Sequence, residues 1–222
     1  NPTSSGAVQI FRATKGHYTA DSDDKPTSSG AVQQLQAGKG NYTVDSHGEA
    51  TYTRDAGGPS SGGVNQAPAP RGKYACLMSD FSETNVGADY ACYCVAGKYS
   101  DTTGSSLCTD VQEGYYAVDS NGDPTTFGAV NQRQVEQGYY AIDVTYAAAV
   151  GGLAVDQRQV EQGYYAADSS GNPIDRGAVQ QIPCPSGNYS DSPGASSCTV
   201  IADGYYGVDS NGVATSEGAV NQ

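Results

Sequence analysis

Six cysteines carry the clearest covalent chemistry in this 222-residue chain. The stretches "CVAGKYSDTTGSSLC" (94 to 108) and "CPSGNYSDSPGASSC" (184 to 198) share a C-x13-C spacing and a G-x-Y-S-D-x-x-G-x-S-x-C interior. Cys184 and Cys198 have no other cysteine nearby, so they pair with each other. By internal analogy Cys94 pairs with Cys108, which leaves Cys76 for Cys92. Zinc is the rival chemistry, but zinc sites need close C-x2-4-C pairs converging on one ion. Here only Cys92 and Cys94 are close, with no His beside them. Disulfides are therefore expected, and with them an oxidising, extracellular or cell-surface compartment.

The other reactive types are sparse or in the wrong pattern. The two histidines, His17 and His47, belong to no triad-like or H-E-x-x-H arrangement, and no glycine run has the context of a phosphate loop. No catalytic residue is assigned and no enzyme is expected. "DSNGD" (119 to 123) imitates the start of a calcium loop, but the sixth position is Pro124 where the sharp bend requires Gly. An Asx turn is the expected form and no cofactor is expected, with calcium at one or two such turns as the alternative. Two N-x-[ST] sequons, at Asn41 and Asn188, are candidate N-glycosylation sites. Pro-rich hydroxyl clusters make Thr3, Ser4, Ser5, Thr27, Ser28, Ser29, Ser60, Ser61, Thr125 and Thr126 candidates for O-glycans.

These residues sit on a repeat. A glycine immediately before a recurring x-Tyr pair falls at 16, 40, 72, 97, 114, 138, 163, 187 and 204. The spacings are 24 or 25 residues, except for two of 17, which are the cysteine-closed ones, and one of 32. That longest interval contains "RDAGGPSSGG" (54 to 63), expected to bulge as a loop. Self-similarity at such a period marks an architecture in which each unit is too small to bury its own face. Within a unit the second residue after the glycine is always Tyr and the fourth is usually small and apolar. This alternation predicts a strand with one buried face. "D-S-N-G" or "D-S-S-G" predicts a turn, and "G-A-V-N/Q-Q" a second short strand. Period two would then turn the first position outward, making Tyr115, Tyr139, Tyr164 and Tyr205 an aromatic surface row.

Composition agrees with a thin fold. Val, Ile, Leu and Phe total 31 of 222 residues (19, 5, 4 and 3), below the ~20% at which a single thick core becomes doubtful. The expected fold is all-β: an elongated repeat rod of about nine short β-turn-β units, stapled in places by disulfides, with little or no helix. Four segments follow from the repeat types. They are N-terminal repeats opening on a partial unit (1–71), cysteine-rich repeats (72–113), cysteine-free G-Y-Y repeats (114–183), and a cysteine unit with a final G-Y-Y repeat (184–222). The net charge of −13 disfavours nucleic acid and anionic lipid as partners. No apolar run reaches the ~18 residues of a membrane span.

The two C-x13-C stretches resemble the ephrin-receptor-like cysteine-rich repeats, whose units follow C-P-x-G-x-Y-S-x-x-x-G-x-x-x-C and string together in extracellular rods. The match covers 94 to 108 and 184 to 198. That family continues with further cysteines, where this chain has "CTDV" and "CTVI". "GYYAVDSNG" is similar to the aromatic repeats of bacterial choline- and glucan-binding wall proteins, which depend on Trp, and this chain has none. The composition also resembles that of hair-like flagellar mastigonemes. The opening "NPTSSGAVQ" aligns with the middle of a unit and the last residues, "GAVNQ", with a unit boundary, which suggests units that join end to end. The functional expectation is a structural segment of a glycosylated extracellular filament, sheath or surface hair, self-associating through its repeats. A carbohydrate-binding or receptor-type module, holding a polysaccharide on the tyrosine row, is the alternative.

Overall fold

The structure, a computed structural model, describes residues 13–222 apart from 15, 29–30, 32, 54–57, 60–62, 78 and 85. It is all-β: among the described residues there is no helix, and the strands form short antiparallel hairpins stapled in places by disulfides. The chain divides into two compact units, one of residues 1–93 with 102–108, the other of 94–101 with 109–222.

One hairpin shows how the local sequence builds them all. Gly114 has φ +79°, and the turn it forms is closed by the Tyr115 N–H donating to the Gln112 carbonyl at 3.1 Å. Glycine takes this left-handed conformation without a steric penalty. The strand Tyr115–Val118 then runs out, and the Asp119 turn reverses it. Val118 bridges Pro124, and the strand Asn131–Gln134 returns, pairing Tyr115 with Gln134 and Val118 with Asn131. The same register recurs in Tyr139–Ile142 with Asp156–Gln159 and in Tyr164–Ala167 with Gln180–Pro183. In the other compact unit it recurs in His17–Ala20 with Gln33–Gln36 and in Asn41–Val44 with Asn65–Pro68. Lys73–Leu77 carries partners on both sides, Ser82–Glu83 and Tyr90–Tyr93. The 54–63 insertion lies partly outside the described residues. Within it Gly58–Pro59 pairs with Tyr52–Thr53.

The expected single buried face is corrected by the structure. In Tyr115–Val118 and Tyr139–Ile142 the second, third and fourth residues are all buried. The third is Ala117 or Ala141, and the reason is the neighbouring repeat. A short segment centred on an alanine, Leu153-Ala154-Val155, Gly177-Ala178-Val179 or Gly194-Ala195-Ser196, lies across the open face of the strand, so that face is covered too. The Ala117 N–H donates to the Ala154 carbonyl at 3.0 Å, Ala141 to Ala178 at 2.9 Å and Ala166 to Ala195 at 2.9 Å. A second rung joins the residue that opens the segment to the connector: Gly177 to the Val135 carbonyl at 3.0 Å, Gly194 to Val160 at 2.8 Å and Gly218 to Cys184 at 2.8 Å. The compact unit of 1–93 and 102–108 repeats the rule, with Thr43 donating to Ala88, Gly87 to Ala37 and Gly104 to Ala69. Only a small side chain fits between a strand and a backbone laid over it, which explains the alanines at 117, 141 and 166 and the buried Thr43 and Ser190 at the same position.

The core is consequently a series of small clusters, each shared by successive repeats. Tyr116, Val118 and Val135 of one repeat pack with Ala141, Ala149 and Ala154 of the next. Tyr140, Ile142 and Val160 pack in turn with Ala166 and Ala178. The connector valines Val135 and Val160 are fully buried. Few large apolar residues suffice because each is used at a boundary between repeats.

Candidate functional site

Among the described residues no group of three or more His, Cys, Asp or Glu side chains converges, so the candidate functional surfaces are the groups that recur in the same place from repeat to repeat. The first is the aspartate turn. Asp119 Oδ1 accepts from the Asn121 N–H at 2.8 Å and the Asp123 N–H at 3.0 Å. The same pair of bonds recurs at Asp21, Asp45, Asp143, Asp168 and Asp209. This is the Asx form, in which one carboxylate oxygen takes two backbone N–H donors. No group of three or more metal-ligating residues occurs among the described residues.

Those donors stabilise the charged carboxylate. The Asp123 N–H holds Asp119 below its ordinary pKa, the Thr145 hydroxyl does so for Asp143, the Asn172 N–H for Asp168 and the Val213 N–H for Asp209. At Asp45 the largest contribution is the His47 N–H. A carboxylate whose folded pKa is depressed contributes stability that is complete above its unfolded value of about 3.9 and is lost as pH falls through the folded value. Thermal midpoints should therefore hold from neutral pH to about pH 5 and drop below about pH 4. Combining Asp119→Asn with Asp209→Asn should shallow that drop. A drop of unchanged depth in the double variant would disprove the assignment.

The second recurring group is one that sequence reasoning missed. The last residue of the G-A-V-N/Q-Q motif is a clamp. The Gln132 side-chain carbonyl accepts from the Gln112 N–H at 2.8 Å, Gln157 from Glu136 at 2.8 Å and Gln181 from Glu161 at 2.9 Å. Gln34, Gln66 and Gln222 make the same bond to Thr14, Gly38 and Ala202. In every case the donor lies two residues before the marker glycine. The recurrence of that glutamine in six of the units was the available signal. Where the donor position is Pro70 or Pro185 there is no N–H to clamp, and a disulfide ties the hairpin instead: Cys76–Cys92 and Cys184–Cys198, each with Cα atoms 5.8 Å apart. Cys94 and Cys108 are also disulfide-bonded, and among the described residues no cysteine is free.

Both sequon asparagines occupy the first strand position and are half-buried. Asn41 heads Asn41–Val44, its side-chain N–H reaching Gln66 at 3.4 Å, while Asn188 donates to the Ser186 carbonyl at 3.3 Å. Of the hydroxyl candidates, Ser28 and Thr126 are exposed. Thr125 is half-buried and donates to the Phe127 carbonyl, and the half-buried Thr27 accepts at its carbonyl from the Thr19 hydroxyl. Thr3, Ser4, Ser5, Ser29, Ser60 and Ser61 lie outside the described residues.

The tyrosines at the first strand position differ from an outward row. Tyr139 and Tyr164 are half-buried against the cluster of the preceding repeat, and Tyr115 packs on Val111, Ala117 and Ala129. The neighbouring repeat again supplies the reason, since it covers the face that period two had left to solvent. Tyr205 alone of the four is open, at 63%, beside Tyr206 at 67%, the position that is buried at Tyr116 and Tyr140. His17 stands on a strand, bonded to the Thr14 hydroxyl at 3.1 Å, and His47 lies exposed in a turn 3.9 Å from Asp45. No described helix is long and apolar enough to cross a membrane. No protein-family model matches the chain, and no curated protein is significantly similar to it.

Proposed function

We propose that this chain is a structural segment of an extracellular, glycosylated filament, sheath or surface hair. The observation that carries the reading is the repeated two-rung backbone ladder with its shared alanine and valine cluster. It is a self-complementary contact, because the face each repeat offers is the face the next repeat accepts. The residues spent most consistently along the chain are spent on that contact and on the turns and clamps that shape it. Several disulfides fit an oxidising compartment, and the half-buried Asn41 and Asn188 with the exposed Ser28 and Thr126 are the proposed glycan carriers. In this reading no substrate is turned over.

The test is negative-stain imaging of the purified native product together with its intact mass. Uniform fibres and mass in excess of the polypeptide are expected. Dispersed particles of bare polypeptide mass, at every concentration tried, would refute the proposal.

A further inference from the structure

Two grooves of the same construction lie between the turn of one repeat and the turn of the next. One is lined by Pro26, Thr27 and Ser28 against Val44, Asp45, Ser46 and Gly48, with Val64 and Asn65 at its base. The other is lined by Pro124, Thr125 and Thr126 against Ile142, Asp143, Val144 and Tyr146, with Val155 and Asp156 at its base. They hold about 280 and 270 Å³. They differ in one wall: where the first has Ser46 and Gly48, the second has Val144 and Tyr146.

That substitution works against the backbone. Tyr146 occupies the turn position held elsewhere by Gly48, Gly122, Gly171 and Gly212 and, in the Asp21 turn, by the short Asp24, and it keeps their left-handed conformation, with φ +66°. For a bulky side chain this is strained, and such strain collects where a residue serves something other than stability. Burial does not offset it, because the Tyr146 side chain is 68% exposed and Val144 53%. The ring stands at the groove with the Arg158 guanidinium 5.8 Å from its centroid. The polar groups around it have capacity to spare. Asp143 uses Oδ1 for the Thr145 and Ala147 donors, Asp156 uses Oδ1 for the Gln157 N–H, and the Thr126 hydroxyl is exposed. Each carboxylate keeps its second oxygen for a ligand.

We propose that the groove at 124–126, 142–146 and 155–156 is a binding subsite for one neutral pyranose ring of an oligosaccharide. The ring stacks on Tyr146, as apolar C–H faces do on aromatic side chains. Asp143 and Asp156 accept from its hydroxyls. The volume falls just short of the ~300 Å³ at which pockets for larger ligands begin, which suits a single ring. The two carboxylates, on a chain of net charge −13, disfavour anionic sugars. This goes beyond the filament reading and does not rest on it.

The test is a panel of short neutral gluco-, manno- and galacto-oligosaccharides, followed by saturation-transfer NMR and titration with the full chain. Binding by the unsubstituted chain is expected, weakened about tenfold or more by Tyr146→Asn and retained by Tyr146→Phe. Asn tolerates the left-handed conformation, so Tyr146→Asn should keep or raise the thermal midpoint while losing the sugar, which loss through unfolding could not do. No binding across the panel would overturn the proposal, as would binding indifferent to Tyr146→Asn. So would a Tyr146→Asn effect confined to self-association, which would make the patch a contact between copies. Fibre formation by Tyr146→Asn should be unchanged, which separates this outcome from the fate of the filament proposal.

Discussion

Replacing Gly40 with alanine should destabilise the protein by about 2–5 kcal/mol. Two costs add at this position. Gly40 has φ +74°, a conformation that costs a residue with a Cβ about 1–2 kcal/mol. A Cβ built there would also lie 1.7 Å from the Gly104 carbonyl oxygen, a backbone atom that cannot swing aside as a flexible side chain would. Forcing the repeats apart adds roughly 1–3 kcal/mol. It also strains the Gly104-to-Ala69 hydrogen bond of 2.7 Å. Gly48→Ala is the control, because Gly48 has φ +83° and open space around its would-be Cβ. Only the conformational cost of about 1–2 kcal/mol applies there. Equal destabilisation of the two variants in urea would contradict the close approach between repeats.

Removal of the Cys184–Cys198 disulfide, by Cys184→Ala with Cys198→Ala, should cost about 3 kcal/mol for a loop of sequence separation 14. The loss should also be local. This short repeat holds its hairpin by the pairs Asn188 with Val200 and Tyr189 with Thr199 and by the Ile201-to-Gly187 backbone bond. It supplies the Ala195 carbonyl to the Ala166 N–H on one side and the Cys184 carbonyl to the Gly218 N–H on the other. In repeat proteins stability is a sum of unit and nearest-neighbour terms, so opening one unit loosens its neighbours first. Hydrogen exchange should accelerate at the Ala166, Ser190 and Gly218 amides while those of Ala117 and Ala141 keep their protection. Uniform acceleration throughout residues 109–222 would mean that this compact unit unfolds as one body.

Both predictions rest on features with very different visibility in the sequence. The disulfide could be read from a spacing used twice, and the hairpin from a Tyr, a turn signal and a return strand, all within one repeat. The glutamine clamp was visible as a recurring letter but not as a bond, because its donor is a backbone N–H and every residue except proline has one. The pairing of Gly40 with Gly104 was not legible at all. The two glycines are 64 positions apart, and nothing in either one's surroundings specifies which distant carbonyl will lie above it. The tyrosine row failed for the same reason. Alternation separates two faces of a strand, but it does not say that both will be covered.

What the sequence by itself determined is governed by contacts inside one repeat: the all-β class, the aspartate turns, the strand-turn-strand order and the need for covalent staples in the shortened units. These follow from backbone preference and side-chain chemistry over a couple of dozen residues. Only the tertiary structure decided which face of each strand is closed, why the third position is so often alanine, and where Tyr146 stands exposed beside a groove. Those outcomes depend on the backbone of one repeat resting on the next, and a backbone carbonyl or N–H has no side-chain identity for a sequence pattern to record.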